Sequence, residues 1–382
     1  MKKLNVFLAL MFMSAMVFAQ TRNLRTADSE LKRGRLDRAV TAIQLAIVEP
    51  ENLENANAWF SQAKIYTAVA ATPKPEYSSL EPNAIQLALQ AFIKTFNLDK
   101  DGRLVILGGG EVQKLINAAY DKGAAFYADQ NFSEASNAFR VSVEASALVD
   151  IVDTNAMFNT ALCAEAAGNK VVAKEFYQKL VDMKADQPAA FTALALILKD
   201  EDDLVNTGKY VDLAVELFPE NYNTLINAAS IHLMIGNSER ASVILDAMSV
   251  DFADNPVVFF AKGVAFEQIN MPEKAEEAYL KAIELRPDYF DAIFNLAAHY
   301  VTRGVSIKAE ADALPMSEQT KYDELNEIAN EIFKKAIPML EKANEMESDN
   351  IPVMSTLKDI YVHLRMMDRA NELNEQIERL QQ

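Results

Sequence analysis

Three histidines, one cysteine and two loop segments hold the residue types that could do chemistry in this chain. His232, His299 and His363 lie far apart in sequence. None has a second histidine three or four residues away on the same helix face, and no HExxH occurs, so a metallohydrolase site is not indicated. They read as packed or surface histidines. Cys163 is the sole cysteine and sits in "FNTALCAEAA". It has no partner for a disulfide or a thiolate cage and reads as an inert core thiol. "LGGGEV" at 107–112 is glycine-rich but lacks the lysine and Ser/Thr of a phosphate loop, so it reads as a flexible connector. "NLDKDGRL" places Asn97, Asp99 and Asp101 at alternate positions before Gly102, like the first half of a calcium loop. Gly108 stands where that loop needs a bidentate carboxylate. A turn after a helix is therefore the leading reading, with calcium at these three residues the lesser one. No nucleophile elbow and no dinucleotide fingerprint occurs. The expectation is a chain with no catalytic set and no cofactor; an enzyme of unknown type is the last of three functional readings.

Composition agrees with that expectation. Lys and Arg number 37 against 55 Asp and Glu, for a formal charge of −18. Nucleic acid and anionic membrane surfaces are polyanions, so neither is expected as the partner. Half the residues are hydrophobic and only 11 are glycine, which suits a large helical core. The first residues, "MKKLNVFLALMFMSAMVFAQ", read as a secretory signal over 1–19. Lys2 and Lys3 precede an apolar run from Val6 to Met13, and Val17 and Ala19 stand before a cut at Gln20. Gln20 replaces the cysteine that a lipoprotein would need. No later apolar run is long enough to span a membrane. Export is expected, to the periplasm first and outside the cell as the alternative.

The elements that would position any site come from a repeat. With Pro256 as position 1, Phe259 is position 4, Gly263 is 8, Phe266 is 11, Ala275 is 20, Tyr279 is 24, Ala282 is 27 and Pro287 is 32. Thr154, Pro188, Tyr222, Pro256 and Phe290 begin successive units at a spacing of 34 residues. Position 8 is Ala161, Ala195, Ala229, Gly263 and Ala297 in turn. Small residues at 8 and 20 let two antiparallel helices approach closely. Larger groups at 4, 11 and 24 fill the space around them, and proline at 32 ends the second helix. Each hairpin leaves an apolar face bare, so neighbours must stack.

These residues resemble the tetratricopeptide repeat family. An earlier unit carries the signature at Trp59, Ala63 and Tyr66. Others begin near Ile116 (Gly123, Phe126, Ala135, Phe139) and Ile351 (Leu357, Tyr361, Ala370), and a degenerate one near Gln20 (Gly34, Ala39, Ile43, Ala46). The resemblance implies an all-α, right-handed superhelical solenoid of about nine hairpins. It divides into N-terminal hairpins over 20–96, a glycine-containing connector at 97–115 and a C-terminal array over 116–382. It further implies that positions 2, 5 and 9 of each first helix line a concave face. Position 2 supplies Asn57, Asn117, Asn155 and Asn223; position 5 supplies Phe60, Tyr120, Phe158, Ile226, Phe260 and Phe294. Lys64 is the one basic residue at position 9, so a clamp for a terminal carboxylate is not expected. Asparagine can donate to and accept from a peptide main chain, and aromatic rings can hold its side chains. The competing reading is that position 5 only fills the space between adjacent first helices.

One departure is large. Between Tyr300 and Ala336 the eighth unit gains 27 residues, about 301–335. From Tyr322 the apolar residues Leu325, Ala329, Ile332, Ala336, Met339, Ala343 and Met346 keep a 3-4 spacing. This predicts a second helix extended by about five turns, capped at Ser317, interrupted by Pro338, and paired with a lengthened first helix. Tyr322, Leu325 and Ile332 become a second candidate partner surface, unless the pair covers itself. The functional expectation is an exported, non-enzymatic scaffold that binds a protein or peptide. A component of an envelope secretion, motility or outer-membrane assembly complex is the alternative. Oligomeric state is not set by the sequence.

Overall fold

The computed structural model describes residues 22–381, and all regular structure among them is helical. The signal expected at 1–19 lies outside the described residues. One compact unit ends at Ile197 and a second begins at Leu198. The first unit holds α1 (22–32), α2 (Leu36–Ile47), α3 (Ala56–Ala71), the short α4 (Pro75–Ser78), α5 (Ala84–Leu98), α6 (Arg103–Ala128), α7 (Phe132–Ala147), α8 (Thr154–Ala166) and α9 (Lys170–Asp182). α10 (Pro188–Asp200) runs across the division. The second unit holds α11 (Leu204–Leu217), α12 (Tyr222–Met234), α13 (Ser238–Asp251), α14 (Pro256–Gln268), α15 (Pro272–Leu285), α16 (Phe290–Asp312), α17 (Gln319–Met346), α18 (Ile351–His363) and α19 (Met367–Leu380). No helix of the described residues is long and apolar enough to cross a membrane.

Local chemistry explains why the chain turns where it does. Asn55, Asp153, Asn221, Asn255 and Asn350 each stand just before a first helix, and each side chain accepts a backbone N–H of the first turn. At position 15, between first and second helix, the backbone is left-handed at Gly168, Gly236 and Asn270 alike. Inside the hairpins the expected close approach is found. A Cβ on Gly263 would lie 2.5 Å from the Tyr279 ring, and one on Gly123 2.8 Å from the Phe139 ring. Tyr279 is fully buried.

The connector reading of 97–115 is corrected. α6 runs without a break through Gly108, Gly109 and Gly110. Leu104, Gly108, Val112 and Leu115 form one buried stripe on it. Gly108 is where the backbone must come close, since a Cβ there would sit 3.1 Å from Phe96 and 3.4 Å from Phe60. Packing outweighs the helix cost of glycine, roughly 1 kcal/mol per residue.

The insertion is helical, with corrections in detail. α17 has 28 residues against 14 in α15, an extension of about four turns rather than five. α16 has 23 against 13 in α14. Ser317 does not cap; it lies in a 3-10 turn, Met316–Glu318. α17 continues through Pro338. Its buried line is Ala329, Phe333, Ala336, Leu340 and Ala343, so Phe333 and Leu340 take the places expected of Ile332 and Met339. α16 meets that line with Ala297, Gly304 and Ala311, all buried and seven residues apart. Gly304 occupies position 15, where other units turn. Here the helix continues, and a Cβ on Gly304 would lie 2.6 Å from the Phe333 ring.

Candidate functional site

The position-2 and position-5 residues of a first helix lie three apart and share a face. In the first unit Asn57, Asn117 and Asn155 are exposed, while Phe60, Tyr120 and Phe158 are half-buried. The rings pack inward on their own hairpins: Phe60 edge-on to Phe92, Tyr120 edge-on to Phe139 at 5.1 Å, Phe158 on Tyr177 at 6.0 Å. Asn159 Nδ2 donates to the Tyr120 hydroxyl at 3.0 Å and so ties α8 to α6. The asparagines are already engaged on their acceptor side. Gln187 Nε2 donates to Asn155 Oδ1 at 2.7 Å, Gln113 Nε2 to Asn117 Oδ1 at 3.0 Å, and Arg103 Nη2 to Asn57 Oδ1 at 3.4 Å. What this face offers is therefore amide N–H groups beside half-covered rings. Lys64 stands 3.7 Å from Asp28 and over the Phe60 ring, so its charge is partly spent.

The second unit repeats the motif with different chemistry. Asn223 is exposed and Ile226 half-buried. Phe260 packs on Tyr279 and Tyr289, and Phe294 stacks on Phe290 at 6.0 Å. Position 5 thus fills space and still shows part of each ring to solvent. The two sequence readings of it are not exclusive.

Several of the chemistry-bearing residues have partners within the fold. Asp99 Oδ2 accepts the backbone N–H of Leu104 at 2.6 Å and of Val105 at 3.0 Å, so it caps α6. Asn97 lies on α5, and Asp101 is exposed in the turn. Among the described residues no three His, Cys, Asp or Glu side chains are grouped as a metal site. Cys163 is buried, and burial pushes its thiol up to about 11. His299 Nδ1 lies 2.9 Å from Glu267 Oε1, and the Tyr279 hydroxyl donates to Glu267 Oε2 at 3.2 Å. His363 Nε2 meets Asn330 Oδ1 at 3.0 Å. His232 is fully buried 3.3 Å from Asp212, which also accepts Arg240 at 2.7 Å.

His232 and His363 predict an acid-sensitive fold. Burial holds the His232 imidazole below its ordinary value, against a smaller opposing pull from Asp212. His363 shifts the same way through burial and Lys308. Just below a pH of about 6.5 the unfolded chain takes up protons that the fold refuses, so this stability is present above that pH and lost as pH falls. Unfolding free energy should drop between about pH 7 and pH 5, and His232→Phe should flatten part of the drop. An unchanged slope in the variant would remove His232 from the account.

The insertion residues Tyr322, Leu325 and Ile332 are half-buried along α17. Ile328 and Val305 are the more exposed apolar side chains of that pair. Spacing alone does not single out Gly304, Phe333 and Leu340, because two 3-4 stripes overlap on α17. Gly304 was still a usable signal, being a glycine at position 15 inside an otherwise helical run.

The comparisons with known proteins agree with this architecture. A tetratricopeptide repeat model matches residues 155–183 and another matches 257–289, at the same register three periods apart. No curated protein matches. Among solved structures, the C-terminal part of a TPR repeat-containing protein from Cytophaga hutchinsonii is 15% identical, with a TM-score of 0.50 over 68% of this chain and 95% of that one. YrrB, described as a TPR protein with an unusual peptide-binding site, is 17% identical over 47% of this chain and 90% of its own, with a TM-score of 0.39. MamA from Desulfovibrio magneticus RS-1 is 16% identical over 49% of this chain and 94% of its own, with a TM-score of 0.37. The chain thus carries tetratricopeptide repeats at 155–183 and 257–289 and shares its helix-hairpin fold with the Cytophaga protein.

Proposed function

We propose that this protein is a non-enzymatic interaction scaffold, exported by its N-terminal signal to the periplasm, that holds a polypeptide partner against the first-helix faces of its repeats. One observation carries the reading. In α3, α6, α8 and α12 an exposed asparagine stands beside a half-covered apolar side chain at the same repeat positions. Where Arg103, Gln113 and Gln187 fill the asparagine acceptors, the remaining amide donors suit the carbonyls of an extended chain. The exposed parts of the rings suit its side chains. The absence of a free basic row on these faces favours main-chain and apolar recognition over a carboxylate clamp.

The test is site-specific photocrosslinking in cells, with the crosslinking residue at Asn155, at Asn223 or at Val171, which is exposed on a second helix. A discrete partner adduct is expected from the asparagine sites and not from Val171. The exported protein is expected to begin at Gln20 by mass spectrometry. Equal adducts from all three positions, or an uncleaved cytoplasmic chain, would defeat the reading.

A further inference from the structure

The second unit carries a cleft of about 660 Å³ between α13 and α15, floored by α14. Phe259 and Phe266 line its floor, and Lys262, Lys274 and Lys281 stand around it. The unusual residue is Lys262. It occupies position 7 of its first helix, where the other first helices of this unit bury Ala228, Leu296 and Leu357. A lysine there gives up an apolar contact and opens the space that those side chains fill. It reaches Asp246 of α13 at 2.8 Å.

A second feature points the same way. The ammonium of Lys262 lies 5.7 Å from the centre of the Phe266 ring, and that of Lys274 lies 5.3 Å from it. Two cations share one ring. Lys262 has Asp246 and Lys281 has Glu284, at 3.0 Å, as ion partners. Lys274 lies over the ring. Glu277 also lines the cleft. A carboxylate placed between Lys262 and Lys274 would relieve their mutual repulsion over an apolar floor, where charge-assisted bonds are strong. Apolar surface continues outward on both sides. Val243 and Val250 are exposed on the face of α13 that carries Asp246, and Leu280 is exposed on α15.

We propose that this cleft is a second binding site, separate from the first-helix faces, for an acidic peptide segment of a partner protein. The segment would set one carboxylate side chain between Lys262 and Lys274, with aromatic or branched aliphatic neighbours on Phe259, Phe266 and Leu280. In a chain of net charge −18 a site for an acidic segment is unexpected, and local lysines must supply the attraction.

The experiment selects a displayed library of random 12-residue peptides on the full-length protein. Winning peptides are then measured on variants and in salt. Peptides with Asp or Glu beside Leu, Phe or Trp are expected to dominate. Lys274→Glu should weaken them at least about tenfold, as loss of a charge-assisted bond implies, and about half-molar salt should weaken them as well. Lys262→Leu restores the apolar residue of the neighbouring units. It should raise the melting temperature while abolishing peptide capture, an outcome that a purely structural Lys262–Asp246 clip would reverse. Winners without acidic residues, or binding indifferent to Lys274→Glu, would overturn the proposal. So would a lowered melting temperature in Lys262→Leu with capture intact. Substitutions at Asn155 and Asn223 should leave these peptides bound, so the outcome is independent of the first-helix faces.

Discussion

Replacing Gly263 by leucine is expected to cost about 3 kcal/mol or more, the upper end of what overpacking does in a closed core. Even the first added carbon would lie 2.5 Å from the Tyr279 ring. That ring cannot step aside, because it is fully buried and its hydroxyl is held by Glu267. Glycines that stand in open space should behave in the opposite way. Nothing lies within 4 Å of a Cβ built on Gly109 or Gly110, and both are inside α6. Gly109→Ala and Gly110→Ala should each stabilise by roughly 0.8–1 kcal/mol, the helix preference of alanine over glycine. Gly108→Ala, one residue earlier, should not. Urea denaturation of the four variants measures this. The loss at Gly263 should fall on the second unit, and the gains at Gly109 and Gly110 on the first. A tolerated Gly263→Leu would mean that the α14–α15 pair is not packed as described.

The second large effect is expected at Phe333. Its buried ring lies against Gly304 of α16 and meets His363 of α18 edge-on at 4.8 Å, so it joins the extended hairpin to the last one. Phe333→Ala should cost about 3–5 kcal/mol through lost burial and the cavity left behind. Gly304→Ala should also destabilise, because its Cβ would strike the ring at 2.6 Å. The double variant decides between a local void and a general weakness. With the ring gone, the added methyl enters the vacated space, so the two losses should not add and Gly304→Ala should be neutral or helpful in that background. Strict additivity in chemical denaturation would show that the two side chains do not share one contact.

Much of this fold was legible because the decisive interactions are local. Small residues at position 8 and rings at position 24 lie 16 residues apart, within one hairpin, so their spacing records the approach of the two helices. Asn and Asp before the first helices record the caps. The candidate face was less legible. A half-buried ring at position 5 satisfies both a core role and a surface role, and residue type alone cannot divide them. The pairing of Arg103 with Asn57 joins residues 46 apart, and it depends on α6 being helical through three glycines.

The sequence by itself determined the repeat period, the helix pairs, the position of the long insertion and the lack of a catalytic motif. Those follow from patterns that repeat every 34 residues or complete themselves within a turn. The tertiary structure decided which of two overlapping stripes on α17 is buried, because only the line of Ala297, Gly304 and Ala311 on α16 selects between them. It decided that "LGGGEV" is helix, because Phe60 and Phe96 supply a surface on which a helix without side chains can rest. It also decided that Lys262, one lysine among many in the sequence, stands in a core position and opens a cleft. In each case an apolar or charged side chain had more than one permitted environment. The choice was made by the free energy of packing against an element distant in sequence, which local spacing does not encode.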